Sequence, residues 1–260
     1  MPAPAGSALL APTMNWRAAI GGVVLLAAGG SLRAAEDLPA FFPGARILFQ
    51  GDSITDGGRW QNSSDPNHVF GQCYAYLVAA RVGAARPDLR LVFLNRGVSG
   101  NQVTDLLARW PQDTLALKPG VVSVLVGVND VLLALQPHGR VSPAKFEADY
   151  DRLLADTVRA LPGVKLVLGE PFIEPGARTN GDWAAAREDI RALQGVVARL
   201  GAKYHAPVVR YQEVFDEACR RAPVETWIWD GVHPTAAGHE LMAEAWLRTV
   251  RAAWAGPPAR

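Results

Sequence analysis

The chain has 260 residues, enough for one large domain or two small ones. Hydrophobic residues make up 49% and charged residues 20%, the balance of a globular protein with a full core. A net charge of +1 gives no basic footprint for nucleic acid and no polybasic patch for a membrane surface.

The N-terminus reads differently from the rest. Arg17 precedes an uncharged run from Ala18 to Leu32, and small residues follow before Glu36. That is the layout of a secretory signal peptide, and the run is short for a membrane span. Residues 1–35 are therefore expected to be a signal peptide or N-terminal anchor, and the protein to be exported to a periplasm or medium. Arg33 stands where a small residue would suit a cut after Ala35. Asn62-Ser63-Ser64 fits a glycosylation sequon, which matters only in a eukaryotic secretory pathway. Cys73 and Cys219 are too few for a disulfide scaffold and are expected as two lone thiols, although an exported protein can pair them.

From residue 36 onward, short apolar runs alternate with longer amphipathic stretches. Strands are expected at 46–51, 90–97, 121–127, 164–170 and 206–211. They are rich in Val, Leu and Ile without strict alternation, as a parallel sheet covered on both faces requires. Helices are expected at 69–82, 102–117, 143–161, 182–200 and 234–254. Pro143 and Pro234 suit first-turn positions, Ser142 suits a cap, and Pro111 should kink or divide its helix. The alternation gives βαβ units and one α/β domain over 36–260, with no linker or repeat.

Ligands of such sheets bind at the C-terminal ends of the strands. The residues delivered there are Asp52 and Ser53 in "QGDSITDGG", Gly97, Gly100 and Asn101 in "NRGVSGN", Asn129 and Asp130 in "VGVND", and Glu170. "WDGVHP", before the last helix, adds Asp230 and His233. A serine hydroxyl becomes a nucleophile when a base takes its proton, and a carboxylate fixes the base's tautomer. Ser53, His233 and Asp230 fit those roles. Donors for an oxyanion are the N–H groups of Ser53 and Gly100 and the Asn129 amide. Each residue alone also fits an ordinary loop. His233 and His239 are six residues apart, which does not make a metal pair, and no metal is expected. No phosphate-binding fingerprint and no G-x-S-x-G elbow is present.

The four blocks "GDSITDGG", "NRGVSGN", "VGVND" and "DGVHP" resemble, in order and spacing, those of the GDSL/SGNH hydrolases. The resemblance runs from Arg46 to about Trp254. It implies a three-layer α/β/α sandwich with a mainly five-stranded parallel sheet, of the flavodoxin-like SGNH hydrolase type. It implies Ser53 as nucleophile, His233 as base, Asp230 as its orienter, and an oxyanion hole of Ser53, Gly100 and Asn129. It implies no metal or organic cofactor.

The longer strings around these blocks look more like the bacterial acetylxylan and carbohydrate acetylesterase branch. A short-chain, acetyl ester of a carbohydrate such as an acetylated xylo-oligosaccharide is the expected substrate. Trp60, Trp183, Trp227 and Trp229 offer flat faces for a sugar ring or are core residues; Arg59 and Glu170 offer hydrogen bonds or simply pair within the protein. No long apolar segment reads as a lid. A lysophospholipase or thioesterase of the same family is the alternative, and a non-catalytic carbohydrate-binding protein a more distant one. Homo-oligomerisation is left open.

Overall fold

The computed structural model describes residues 41–61, 65, 68–135, 139–179 and 181–255. The leader expected over residues 1–35 and the sequon at 62–64 lie outside them.

Five parallel strands form one sheet: β1 (Arg46–Gly51), β2 (Val92–Asn95), β3 (Val121–Leu125), β4 (Lys165–Gly169) and β5 (Val208–Val209). Each lies within an expected apolar run. Their order is β2-β1-β3-β4-β5. The order reverses at β1, so the ends of β1 and β3 flank the topological switch point where open α/β sheets bind ligands.

Eight α-helices are found among the described residues. They are α1 (Ser53–Asp56), α2 (Tyr74–Ala85), α3 (Val103–Asp113), α4 (Val128–Ala134), α5 (Pro143–Ala160), α6 (Trp183–Lys203), α7 (Tyr211–Cys219) and α8 (Ala236–Trp254). One layer packs α2 and α7 against α8; the other packs α5 against α3 and α6. The result is a three-layer α/β/α sandwich, as expected.

Neighbouring residues of β1 show how the sheet serves both layers. Phe49 meets Tyr74 of α2 and Trp246 of α8, with ring centroids 5.7 and 5.4 Å away. Gln50 points to the opposite layer and donates to Thr114 Oγ1 at 2.8 Å. The buried tryptophans keep their N–H groups bonded: Trp110 donates to Thr157 Oγ1 at 2.8 Å and Trp246 to Ser123 Oγ at 3.0 Å. Leaving such a donor unpaired in a core costs about 1–3 kcal/mol.

Several boundaries differ from expectation. The helix expected at 69–82 is a 3-10 turn (His68–Phe70) followed by α2. Gly71 between them has φ +67° and packs on Asp56 O, so the chain turns there instead of coiling on. Pro111 does not divide α3; the helix passes through it and ends two residues later. Pro143 opens α5 with Ser142 Oγ accepting from Lys145 N, as expected. Pro234 instead precedes the cap: Thr235 Oγ1 accepts from Gly238 N, and α8 begins at Ala236. Cys73 and Cys219 are both free thiols. No helix of the described residues is long and apolar enough to cross a membrane.

Candidate active site

The serine is held by its own local sequence. Asp52 caps α1, its Oδ1 accepting from Ile54 N at 3.0 Å. Ser53 is the first helical residue, so its N–H has no intrahelical partner. Gly51 permits the tight turn from β1: a Cβ there would lie 2.3 Å from Leu125 O of β3 and 2.5 Å from Thr55 Oγ1.

Ser53 Oγ lies 2.8 Å from His233 Nε2. His233 Nδ1 lies 2.7 Å from Asp230 Oδ2. Asp230 Oδ1 accepts from Val232 N at 3.0 Å and His233 N at 2.7 Å. Arg178 Nε donates to Oδ2 at 2.8 Å. Burial works to raise the Asp230 carboxyl; the hydrogen bonds from His233 and Val232 outweigh it and hold it below its ordinary value. The hydrogen-bonded chain therefore ends in an anion. An imidazole held this way can take the serine proton and carry positive charge while it does so.

Gly100 is exposed, with φ +84°, and nothing would meet a Cβ there within 4 Å. Its loop is fixed from two sides. Arg59 Nε donates to Gly97 O at 2.9 Å, and Asp56 Oδ2 accepts from Ser99 Oγ at 2.6 Å. Asn129, in the first turn of α4, donates one amide hydrogen to Asn101 O at 3.1 Å. An asparagine amide has two donors, so the second is left for another acceptor.

The residues expected to contact substrate divide into two groups. Trp60 and Trp229 are each 61% exposed. Trp229 lies nearly parallel to the His233 ring, with centroids 5.9 Å apart, and Trp60 stacks on His68 at 4.3 Å. Arg59 and Glu170 are buried and have protein partners instead. Arg59 ties α1 to the Gly97 loop. Glu170, two strands away from β1, accepts from Gln212 N at 3.3 Å, and burial pushes its carboxyl up to about 7. Trp183 and Trp227 pack against the core. His239 is buried and accepts from Tyr74 N at 3.2 Å; burial, then the nearby His233, lowers it to about 4. Among the described residues no cluster of His, Cys, Asp and Glu could hold a metal ion.

A cavity of about 600 Å³ lies beside the C-terminal end of α1. Its lining includes Gly57, Gly58, Trp60, His68, Gln72 and Tyr76. A groove of similar volume between α7 and α8 contains none of the site residues. Sequence reasoning missed Arg178, Arg109 and Asp56, which lie in no expected catalytic role and each of which has a partner more than 40 residues away: Asp230, Gly51 and Ser99.

Fold and site together define a class: an α/β/α sandwich presenting an imidazole-bonded serine at the switch point of its sheet. Residues 49–241 match the GDSL-like lipase/acylhydrolase family. An acetylxylan esterase from Geobacillus stearothermophilus is 32% identical over 216 residues, covering 81% of this chain and 96% of that protein. The crystal structure of Axe2, an acetylxylan esterase from the same organism, superposes with a TM-score of 0.72 at 31% identity, covering 81% and 96% of the two chains. A protein described as a GDSL-like lipase from Parabacteroides merdae gives a TM-score of 0.76 at 34% identity, covering 81% and 97%. The chain belongs to the GDSL-like lipase/acylhydrolase family and is a carboxylic ester hydrolase.

Proposed function

We propose that this protein hydrolyses short-chain, chiefly acetyl, esters of carbohydrates through an acyl-enzyme on Ser53. The observation that carries the reading is the chain Ser53 Oγ–His233 Nε2–Asp230 Oδ2, with links of 2.8 and 2.7 Å. His233 takes the hydroxyl proton as Oγ attacks the ester carbon. The developing oxyanion is held by the N–H groups of Ser53 and Gly100 and by the free Asn129 amide hydrogen. Collapse breaks the ester bond, and the departing alcohol takes the proton from His233. Water then attacks the acyl-serine with His233 again as base, releasing the acid and restoring the hydroxyl. Asp230 holds the ring and balances its transient charge. Two Axe2 structures described as catalytic mutants carry alanine in place of a serine and of an aspartate, the residue types assigned these roles here.

The carbohydrate preference rests on the acetylxylan esterase relatives and on exposed Trp60 and Trp229, of which Trp60 lines a cavity with His68, Gln72 and Tyr76. Residues 36–260 are read as the catalytic domain and residues 1–35 as a leader removed on export.

The test is a series of p-nitrophenyl esters beside acetylated xylo-oligosaccharides, with wild type and Ser53→Ala. We expect kcat/KM to fall steeply from acetyl to butyryl and beyond, and Ser53→Ala to lose nearly all turnover while folded. A ratio rising with chain length through octanoyl would replace the acetylesterase reading with a lysophospholipase or thioesterase. Undiminished turnover in Ser53→Ala would remove the mechanism itself.

A further inference from the structure

The carboxylate that orients His233 also has a cationic partner. Arg178 Nε donates to Asp230 Oδ2, the same oxygen that receives His233 Nδ1. Arg178 lies in the loop between β4 and α6, and that loop is built against the Asp230 segment. Arg178 N donates to Asp230 O at 2.9 Å, and Glu174 N donates to Gly231 O at 2.9 Å. Gly176 touches the Asp230–Gly231 peptide so closely that a Cβ would lie 2.3 Å from Asp230 C. Thr179 Oγ1 closes the turn, donating to Glu174 O at 2.8 Å and accepting from Gly176 N at 2.9 Å.

The Arg178 side chain is 57% exposed, and an ordinary ion pair at such a place does little. This pair differs in two ways. Its carboxylate is only 2% exposed, and that carboxylate is already committed to a histidine. The guanidinium stays charged at every working pH. It therefore sits one carboxylate oxygen away from the imidazole.

We propose that Arg178 is a positioning residue that fixes the Asp230 carboxylate and, by its permanent charge, resists protonation of His233 in the free enzyme, extending hydrolysis to lower pH. The proposal rests on the reading of Ser53, His233 and Asp230 given above. The other groups facing His233 do not supply this effect. Ser53 of α1 and Trp229 carry no charge. His239 of α8, lowered to about 4 by burial and then by His233, stays neutral through the weakly acidic range. Asp230 itself is an anion, opposite in charge to Arg178.

With the Arg178 guanidinium half in solvent and screened accordingly, two unit charges about 5 Å apart change a protonation equilibrium by about half a pH unit. The experiment is the pH dependence of kcat/KM on p-nitrophenyl acetate for wild type, Arg178→Met, Arg178→Gln and Arg178→Lys, at low salt and at 1 M salt. We expect the acid limb to move about half a unit upward in the Met and Gln variants, roughly a threefold loss at pH values below the limb. The lysine variant should stay near wild type. The displacement should shrink at 1 M salt, where the Debye length is about 3 Å. Arg178→Gln keeps the limb readable where Arg178→Met does not fold. An unmoved limb in the neutral variants overturns the proposal. So does an equal shift in all three variants, which would make the effect geometric and not electrostatic. Labelling of Ser53 by a fluorophosphonate in wild type separates this failure from that of the underlying mechanism: an unlabelled Ser53 would remove the serine reading, whatever the Arg178 variants do.

Discussion

Arg109 Nε donates to Asn101 Oδ1 at 2.7 Å, and through that bond α3 grips the loop that carries Gly100. The same guanidinium donates to Arg96 O at 2.8 Å and to Gly51 O at 3.2 Å, and pairs with Asp113 at 3.0 Å. It thus connects the residue before Asp52 to both ends of the oxyanion loop. Asn101 O in turn receives Asn129 Nδ2. One side chain fixes the spacing between the serine and two of the proposed oxyanion donors.

Replacing Arg109 with methionine should therefore damage both stability and rate. Several carbonyl and carboxylate acceptors lose their partner, for a cost of about 2–3 kcal/mol. Thermal unfolding should show this, and kcat should fall at least about tenfold with little change in KM, because small misplacements of oxyanion donors are felt in the transition state. Lysine should recover little, since it lacks the planar fork that reaches four acceptors. An Arg109→Met variant with wild-type kcat would show that the oxyanion loop holds itself.

The Asn129 amide gives a sharper test of the same feature. Asn129→Ala removes one proposed oxyanion donor and its bond to Asn101 O. A loss of about 2.7–4 kcal/mol of transition-state stabilisation is expected, appearing in kcat. A change confined to KM would make Asn129 a ground-state contact instead.

Much of this arrangement was legible in the sequence, for a physical reason. Strands buried on both faces must be apolar throughout, so all five stood out as short Val, Leu and Ile runs. Ser53, Gly100 and Asn129 stood out because they follow such runs, and Asp230 and His233 because they fill the short turn before the last helix. What could not be read was the pairing of long charged side chains. Arg59 and Glu170 look like substrate contacts beside a motif, yet Arg59 is spent on Gly97 O and Glu170 on Gln212 N. Arg178 lies in no motif at all, and its partner is 52 residues away. Helix α7 was missed because only Arg210 separates its nine residues from a two-residue strand, so 206–211 reads as one longer strand that swallows the helix start.

Asp52 makes stability fall as pH rises. It is buried beside Ser53, and among the described residues its Oδ2 has no hydrogen-bond partner. Burial raises its carboxyl from 3.8 to about 7, against the opposing bond from Ile54 N. Between about pH 4 and 7 the native state holds a proton that the unfolded chain has lost. Stability from this group is thus full below about pH 4, declines as pH rises through the window, and is lost above about 7. The ceiling is about 4 kcal/mol. Asp52→Asn keeps a capping oxygen and carries no charge at any pH. Its melting temperature relative to wild type should be clearly more favourable at pH 8 than at pH 4.5. An equal difference at both pH values would mean that Asp52 ionises without penalty.

Trp60 should discriminate between alcohols and not between acyl groups. Its ring lines the cavity beside the end of α1, together with Gly57 and Gly58, the two residues that follow that helix. It is 61% exposed but backed by His68, whose ring lies 4.3 Å away at an interplanar angle of 20°. His68 is itself held by Asp65 at 2.7 Å. The indole face is therefore preset, and a sugar ring laid on it loses little of its binding energy to ordering the protein. Aromatic stacking contributes about 0.5–1.5 kcal/mol beyond area burial, or roughly 3- to 12-fold in kcat/KM. Trp60→Ala should lose that factor on acetylated xylo-oligosaccharides and stay within about twofold of wild type on p-nitrophenyl acetate, whose alcohol carries no sugar ring. Trp229→Ala should behave differently, because its ring lies beside His233 and affects every ester. Equal losses on both substrates in Trp60→Ala would place Trp60 in the shaping of the serine turn. No loss on either would leave its stacking on His68 as a structural contact and move the carbohydrate site elsewhere on the rim.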